Sequence, residues 1–96
     1  MSAQTDIGAL ITRTAGIHGG RPHLAGTGVT VRRIVVWHRT GLSPEEIADT
    51  VGHLSLAQIY AALAYYHLNQ AEIDADLIEE AQETARIENL LRRTPQ

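Results

Sequence analysis

One short phrase occurs twice in this sequence, twelve residues apart, and each copy has the form of a helix start. The copies are residues 42–47 (LSPEEI) and 54–59 (LSLAQI). In each, the serine can cap backbone N–H groups, and the Glu or Gln three residues later can reach back to the serine's own N–H in a capping box. A helix must therefore end and restart within twelve residues. Gly52 supplies the stop, which predicts a helix-turn-helix.

The flanking patterns predict further helices and a small β segment. Thr30 can cap a helix that begins at Val31 and that Gly41 ends. The helix after Ser55 should reach about Asn69, and residues 72–93 have a strong helix pattern. Residues 10–14, 22–24 and 29–30 are predicted to form short strands. The predicted fold is mainly α, with a trihelical helix-turn-helix core, a small N-terminal β segment and a C-terminal extension helix. The predicted division is a flexible terminus at 1–8, a domain at 9–70 and an extension at 71–96.

Composition argues against catalysis and against several cofactors. The chain has no Cys and no Lys, which excludes thiol chemistry, a P-loop lysine and a Schiff-base lysine. The five histidines lack the spacing of metal ligands. We therefore expect no enzyme activity, no metal and no cofactor. No apolar run reaches the ~20 residues that span a bilayer and no secretory signal is visible, so a cytoplasmic location without membrane contact is expected.

Charge is distributed unevenly along the chain. Residues 1–43 hold five Arg and one Asp, a net charge of +4, whereas residues 44–96 hold three Arg and ten acids, a net charge of −7. This asymmetry suggests two different partners or head-to-tail self-association. The alternative is a solvated acidic helix and scattered arginines. A core with only four aromatic residues also favours a homodimer or higher oligomer as a source of further buried area.

Three segments in this order resemble a known family. They are residues 19–27 (GGRPHLAGT) followed by a hydrophobic helix, residues 40–47 (TGLSPEEI), and residues 53–66 (HLSLAQIYAALAYY). The pattern is similar to domain-of-unknown-function family 433, and the likeness covers roughly residues 8–76. Family members resemble VapB-type antitoxins with a homeodomain-like helix-turn-helix. This chain has Gly28 where the family usually has an arginine, which puts that arginine's role in doubt here.

The resemblance implies an antitoxin of a type II toxin–antitoxin system. Its partner would be a PIN-like ribonuclease toxin, and it would also repress its own operon by binding operator DNA. The second helix of a helix-turn-helix enters the major groove, but no Arg or Lys lies between Arg39 and Arg86. Phosphate contacts, which supply most non-specific affinity, must therefore come from elsewhere. The predicted DNA-binding residues are Arg32, Arg33, Arg39, Ser55 and Gln58.

The C-terminal helix is the predicted partner-binding element. Its apolar stripe is either a cover for the core or a surface for a partner, and its arginines could pair with an acidic nuclease site. The predicted contact residues are Glu72, Ile73, Leu77, Arg86, Leu90, Arg92 and Arg93. Two alternatives remain: a helix-turn-helix transcription regulator without a toxin, and an oligomeric interaction module with no nucleic-acid role.

Overall fold

A computed structural model describes residues 6–93 of the chain. A short 3-10 helix, Ile7–Leu10, leads into β1, Ile11–Thr12, which pairs antiparallel with β2, His23–Leu24. A second 3-10 turn, His18–Gly20, lies between the strands. The α-helices of the described residues are α1 Val31–Arg39, α2 Pro44–Val51, α3 Leu56–Leu68 and α4 Gln70–Arg93. The predicted fold class is confirmed. The predicted flexible terminus, 1–8, lies largely outside the described residues, and the strand predicted over 10–14 is only two residues long.

Both predicted capping boxes form. The Ser43 hydroxyl accepts from the Glu46 N–H at 3.1 Å, and the Glu46 carboxylate accepts from the Ser43 N–H at 3.0 Å. Ser55 and Gln58 make the equivalent bonds at 3.1 and 2.7 Å. Gly52 ends α2 with a φ of +83°, in the region that favours glycine. Local chemistry therefore accounts for the turn between α2 and α3.

The core lies where α1, α2 and α3 meet over the β segment. Its fully buried members come from every element except β1 and the 3-10 turns, and the larger ones are Leu24, Val31, Ile34, Ile47, Ile59 and Ile73. On α3, the helical spacing of Leu56 and Tyr60 would favour an inward position, but these residues are 41% and 49% exposed, whereas Ala62 is fully buried. Because α3 is apolar on most sides, periodicity does not fix which side faces the core.

The long helix α4 has two halves with different environments. Ile73 is fully buried and Leu77 packs against the core, so residues 70–80 belong to the body of the protein. Every residue of 81–93 is exposed. This second half projects and gives the molecule dimensions of 65 × 29 × 23 Å. Among the described residues, no helix has the length and apolarity needed to cross a membrane.

Candidate functional site

The arginines of the N-terminal half all contact carboxylates on the first half of α4. These contacts, the arginine–acid interface, link residues that are 35 to 59 positions apart in the sequence. The pairs are Arg13–Glu72, Arg21–Asp76 at 3.6 Å, Arg21–Glu79 at 2.9 Å, Arg32–Glu80 at 2.9 Å, Arg33–Glu80 at 3.7 Å and Arg39–Asp74 at 3.0 Å. The charge asymmetry of the sequence is therefore compensated within the chain. It requires neither two partners nor head-to-tail association.

Two tyrosines at the end of α3 complete the interface. The Tyr65 hydroxyl donates to Glu72 at 2.9 Å and accepts from Arg13 at 2.7 Å. The Tyr66 hydroxyl donates to Asp74 at 2.9 Å, and the Arg39 guanidinium lies 5.4 Å from the centre of the Tyr66 ring. Each tyrosine thus joins α4 to an arginine from another element. The sequence analysis did not predict this role of the tyrosines. The opposite net charges of the two halves were the one signal that the halves could pair with each other.

Each ion pair of the arginine–acid interface stabilises the fold only modestly. The pairs are partly exposed, from 24% and 19% for the Arg21 and Asp76 side chains to 52% and 44% for Arg39 and Asp74. Exposed ion pairs contribute about 0–1 kcal/mol each. Burial of one aliphatic side chain is worth about 1.5–3 kcal/mol, so Ile73 contributes more to holding α4 in place than any single one of these pairs.

Glu72 makes the stability of the fold sensitive to acid. The pKa of Glu72 is lowered chiefly because Arg13 donates a hydrogen bond to its carboxylate, with a further hydrogen bond from Tyr65. A carboxyl whose pKa is depressed in the folded state stabilises that state above its unfolded pKa of about 4.3. The contribution of Glu72 to stability disappears as the pH falls through the pKa that its carboxyl has in the folded state.

We therefore expect Glu72→Gln to be less stable than the wild type at pH 7 and to lose less stability between pH 5 and pH 3. Urea-unfolding midpoints at several pH values measure this difference. Glu88→Gln, on the exposed second half of α4, is the matched control and should keep the wild-type pH dependence. Identical pH profiles for the wild type and Glu72→Gln would contradict the assignment.

The predicted DNA-binding residues fall into two separate groups. Arg32 and Arg33 contact Glu80, and Arg39 contacts Asp74. Ser55 and Gln58 instead lie at the start of α3, where the Gln58 side-chain oxygen already accepts from the Ser55 N–H at 2.7 Å. An amide that reads adenine uses both its oxygen and its nitrogen, so base reading by Gln58 would compete with its capping box for the side-chain oxygen. The structure does not bring the two groups together.

The predicted partner-binding residues also divide into two groups. Glu72, Ile73 and Leu77 lie in the first half of α4. Ile73 is a fully buried core residue and is not accessible to a partner, because α4 packs its first turns against the body. The exposed half carries the remaining predicted residues, Arg86, Leu90, Arg92 and Arg93, and two further exposed apolar residues, Ile87 and Leu91.

A third feature is an open apolar groove along the outer face of α3, here called the α3 groove. The N-terminal 3-10 helix forms one wall of this groove. The residues that line the groove are Ile7, Gly8, Leu10, Ile11, Ser55, Ala57, Gln58, Tyr60, Ala61, Ala64, Tyr65 and Leu68. Within residues 6–93, no group of three or more His, Cys, Asp or Glu residues is arranged to hold a metal ion.

These features define a helix-turn-helix domain whose C-terminal extension helix is partly core and partly exposed. The sequence matches DUF433, described as a protein of unknown function, over residues 11–66. The match spans more than half of the chain, so the protein belongs to the DUF433 family. The resemblance to family 433 that was noted in the sequence is therefore confirmed as family membership.

A solved structure shows the same fold in another family member. It is a crystal structure of a DUF433 member protein from Anabaena variabilis ATCC 29413, which is 26% identical to this chain with a TM-score of 0.69. The alignment covers 73% of this chain and 69% of that chain. Among curated proteins, none matches this sequence.

The unusual Gly28 is not required by the backbone. A Cβ built at Gly28 meets nothing within 4 Å, and Gly28 is absent from the glycines with positive φ. The site is therefore sterically open to the arginine that the family resemblance leads one to expect there. Nothing in the local structure explains the replacement.

Proposed function

We propose that this protein is an antitoxin-like component of a type II toxin–antitoxin system that neutralises a PIN-like ribonuclease. The observation that carries the proposal is the exposed second half of α4. Residues 81–93 continue a helix that Ile73 and the arginine–acid interface hold in place, and they extend it away from the body. A helix presented in this way suits insertion into a groove of another protein.

The chemistry of this segment supports a protein partner with an acidic centre. Ile87 and Leu91, four residues apart on one face, are 48% and 68% exposed. Arg92 and Arg93 are exposed at the end of the helix. Apolar anchors at i and i+4 are typical of a helix that enters a groove, and arginine is enriched at the strong contact points of protein interfaces. The resemblance to VapB-type antitoxins favours a PIN-like ribonuclease with a carboxylate-rich metal site as this partner.

We expect Ile87→Glu and Leu91→Glu each to abolish capture of the ribonuclease. Each change places a charge where an apolar side chain must be desolvated. The measurement is a tagged pull-down at moderate salt, with mass spectrometry and densitometry of the co-eluting protein. Ala85→Glu is the matched control, because Ala85 is exposed in the same half but lies on the opposite face of the helix from Ile87.

The wild type and Ala85→Glu should retain a stoichiometric PIN-like partner. Capture that survives both Ile87→Glu and Leu91→Glu would contradict the proposal, as would a wild type that retains no ribonuclease.

A transcription regulator without a toxin is the second candidate. The α2–α3 pair and its two capping boxes favour it. The pairing of Arg32, Arg33 and Arg39 with carboxylates of α4 counts against it, because phosphate binding must compete with those contacts. If this candidate is correct, replacing Arg32 and Arg33 will reduce both operator affinity and the dependence of affinity on salt.

A further inference from the structure

We propose that the α3 groove is the surface through which two copies of this chain associate, with a two-fold axis crossing α3. The proposal goes beyond the antitoxin function. It concerns a different surface from the exposed half of α4, since neither depression that forms the groove includes residues 81–93. The two proposals can therefore fail independently.

The groove is continuous along most of α3. Two adjoining depressions share Ile7, Ala61 and Ala64, and together they extend from Ser55 to Leu68. The larger has a volume of about 920 Å³. A helix of 13 residues is about 20 Å long, which is enough for a helix-to-helix contact of ordinary length.

Large apolar side chains are exposed at the groove. Ile7 is 64% exposed, Tyr60 is 49% exposed and Leu68 is 83% exposed. Contiguous exposed apolar groups of this kind mark interaction sites rather than ordinary protein surface.

The groove does not suit a small polar ligand or DNA. A small-molecule site needs a few converging polar groups to orient the ligand. The polar side chains in the larger depression include Ser55 and Gln58, which already bond to each other's backbone N–H. The lining residues of both depressions contain no Arg or Lys, so phosphate has no counter-charge here.

The absence of charge favours a second copy of the chain as the occupant. In a two-fold interface the same patch faces itself, so a charged residue near the axis meets its own copy and is repelled. The lining residues of the α3 groove include no charged side chain of either sign. The protein as a whole has 19 charged residues and a net charge of −3, so an uncharged patch of this length is a distinctive part of its surface.

The shape of the groove also fits self-association. The lining of the groove combines three small residues, Ala57, Ala61 and Ala64, with the large exposed side chains of Ile7 and Tyr60. One patch thus carries both the projections and the depressions that an isologous contact needs.

This dimer would cover the start of α3, so self-association and base reading by Ser55 and Gln58 would exclude each other. The α3 groove occupies the position that a recognition helix uses for DNA. The proposal therefore assigns the helix-turn-helix face to protein contact.

Sedimentation equilibrium of the full chain, from micromolar to millimolar concentration, tests the proposal. The wild type and the control Ala85→Glu should be dimers. Ala57→Glu and Ala64→Glu, both at exposed positions of α3, should weaken association by at least roughly a hundredfold because each buries a charge twice per dimer. Circular dichroism should show unchanged helicity.

Thiol cross-linking provides a second readout that does not depend on a destabilising charge. The chain has no cysteine, so Ala57→Cys and Ala64→Cys each introduce one thiol, and a bismaleimide should join two copies in at least one of them. Ala85→Cys should remain uncrosslinked. A monomeric wild type, a dimer that survives both Glu variants, or cross-linking confined to Ala85→Cys would each overturn the proposal.

Discussion

Replacing Ile73 by alanine is expected to lower the free energy of unfolding by about 2–5 kcal/mol. Ile73 is fully buried and is the main apolar contact that α4 makes in its first turn. Truncation leaves a cavity between α4 and the trihelical core, and the loss includes both the transfer energy and the cavity. In a domain whose total stability is about 5–15 kcal/mol, this is a large fraction. Urea denaturation followed by circular dichroism measures it.

Ile87→Ala is the matched control for Ile73→Ala. The residue type and the helix are the same, but Ile87 is 48% exposed and lies in the projecting half. We expect its effect on the free energy of unfolding to be within about 0.5 kcal/mol. Equal losses for the two variants would contradict the division of α4 into a core half and an exposed half.

Ending the chain after Asn69 is expected to disrupt the fold, whereas ending it after Ala81 is expected to preserve it. The shorter chain loses Ile73 and Leu77, which pack in or against the core. It also loses every carboxylate of the arginine–acid interface, and five arginines are left without their partners. The sequence predicts a domain over residues 9–70, so a cut at Asn69 is expected from the sequence to spare the trihelical core. The burial of Ile73 reverses that expectation.

Thermal unfolding compares the two truncations. The chain ending after Ala81 should keep a cooperative transition within a few degrees of the wild type. The chain ending after Asn69 should lose cooperativity or lower Tm by more than roughly 10 °C, since each kcal/mol corresponds to about 4–8 °C in a domain of this size. Two truncations of equal stability would show that residues 70–81 are not part of the folded body.

Local sequence signals predicted most of the helical architecture. The two capping boxes and Gly52 determine α2 and the start of α3 through short-range hydrogen bonds, which act within four residues of the chain. Thr30 likewise caps α1 by accepting from the Arg33 N–H at 3.3 Å. Signals of this kind can be read without knowledge of the tertiary structure.

The packing of the helices was harder to predict. The apolar residues of α3 surround the helix, so the sequence alone could not show that Ala61 and Ala62 face inward while Tyr60 faces the groove. Packing against α1 and the N-terminal segment determines that choice. Sequence periodicity predicts one buried stripe only when the opposite face is polar.

The sequence analysis identified the charge asymmetry correctly but did not predict that the two halves pair with each other. The opposite net charges of the two halves suggested external partners, but residues 35 or more positions apart pair within one chain, as Arg39 does with Asp74. Long-range pairing of this kind depends on where α4 crosses the body, and sequence spacing carries no information about that. The consequence for function is direct, because arginines that were predicted to bind phosphate already have carboxylate partners.

The exposed half of α4 and the α3 groove divide the proposed contacts between two surfaces. Residues 81–93 are assigned to the ribonuclease and the groove to a second copy. A dimer would then present two projecting helices, one from each copy. Two linked binding elements raise the effective affinity for a dimeric or multivalent partner without any new contact.

The most direct test of the central claim is ribonuclease capture by the chain that ends after Ala81, measured beside the full chain. The account predicts that the truncated protein is folded and retains no PIN-like ribonuclease, while the full chain retains it stoichiometrically. Equal capture by both chains would contradict the assignment of partner binding to the second half of α4.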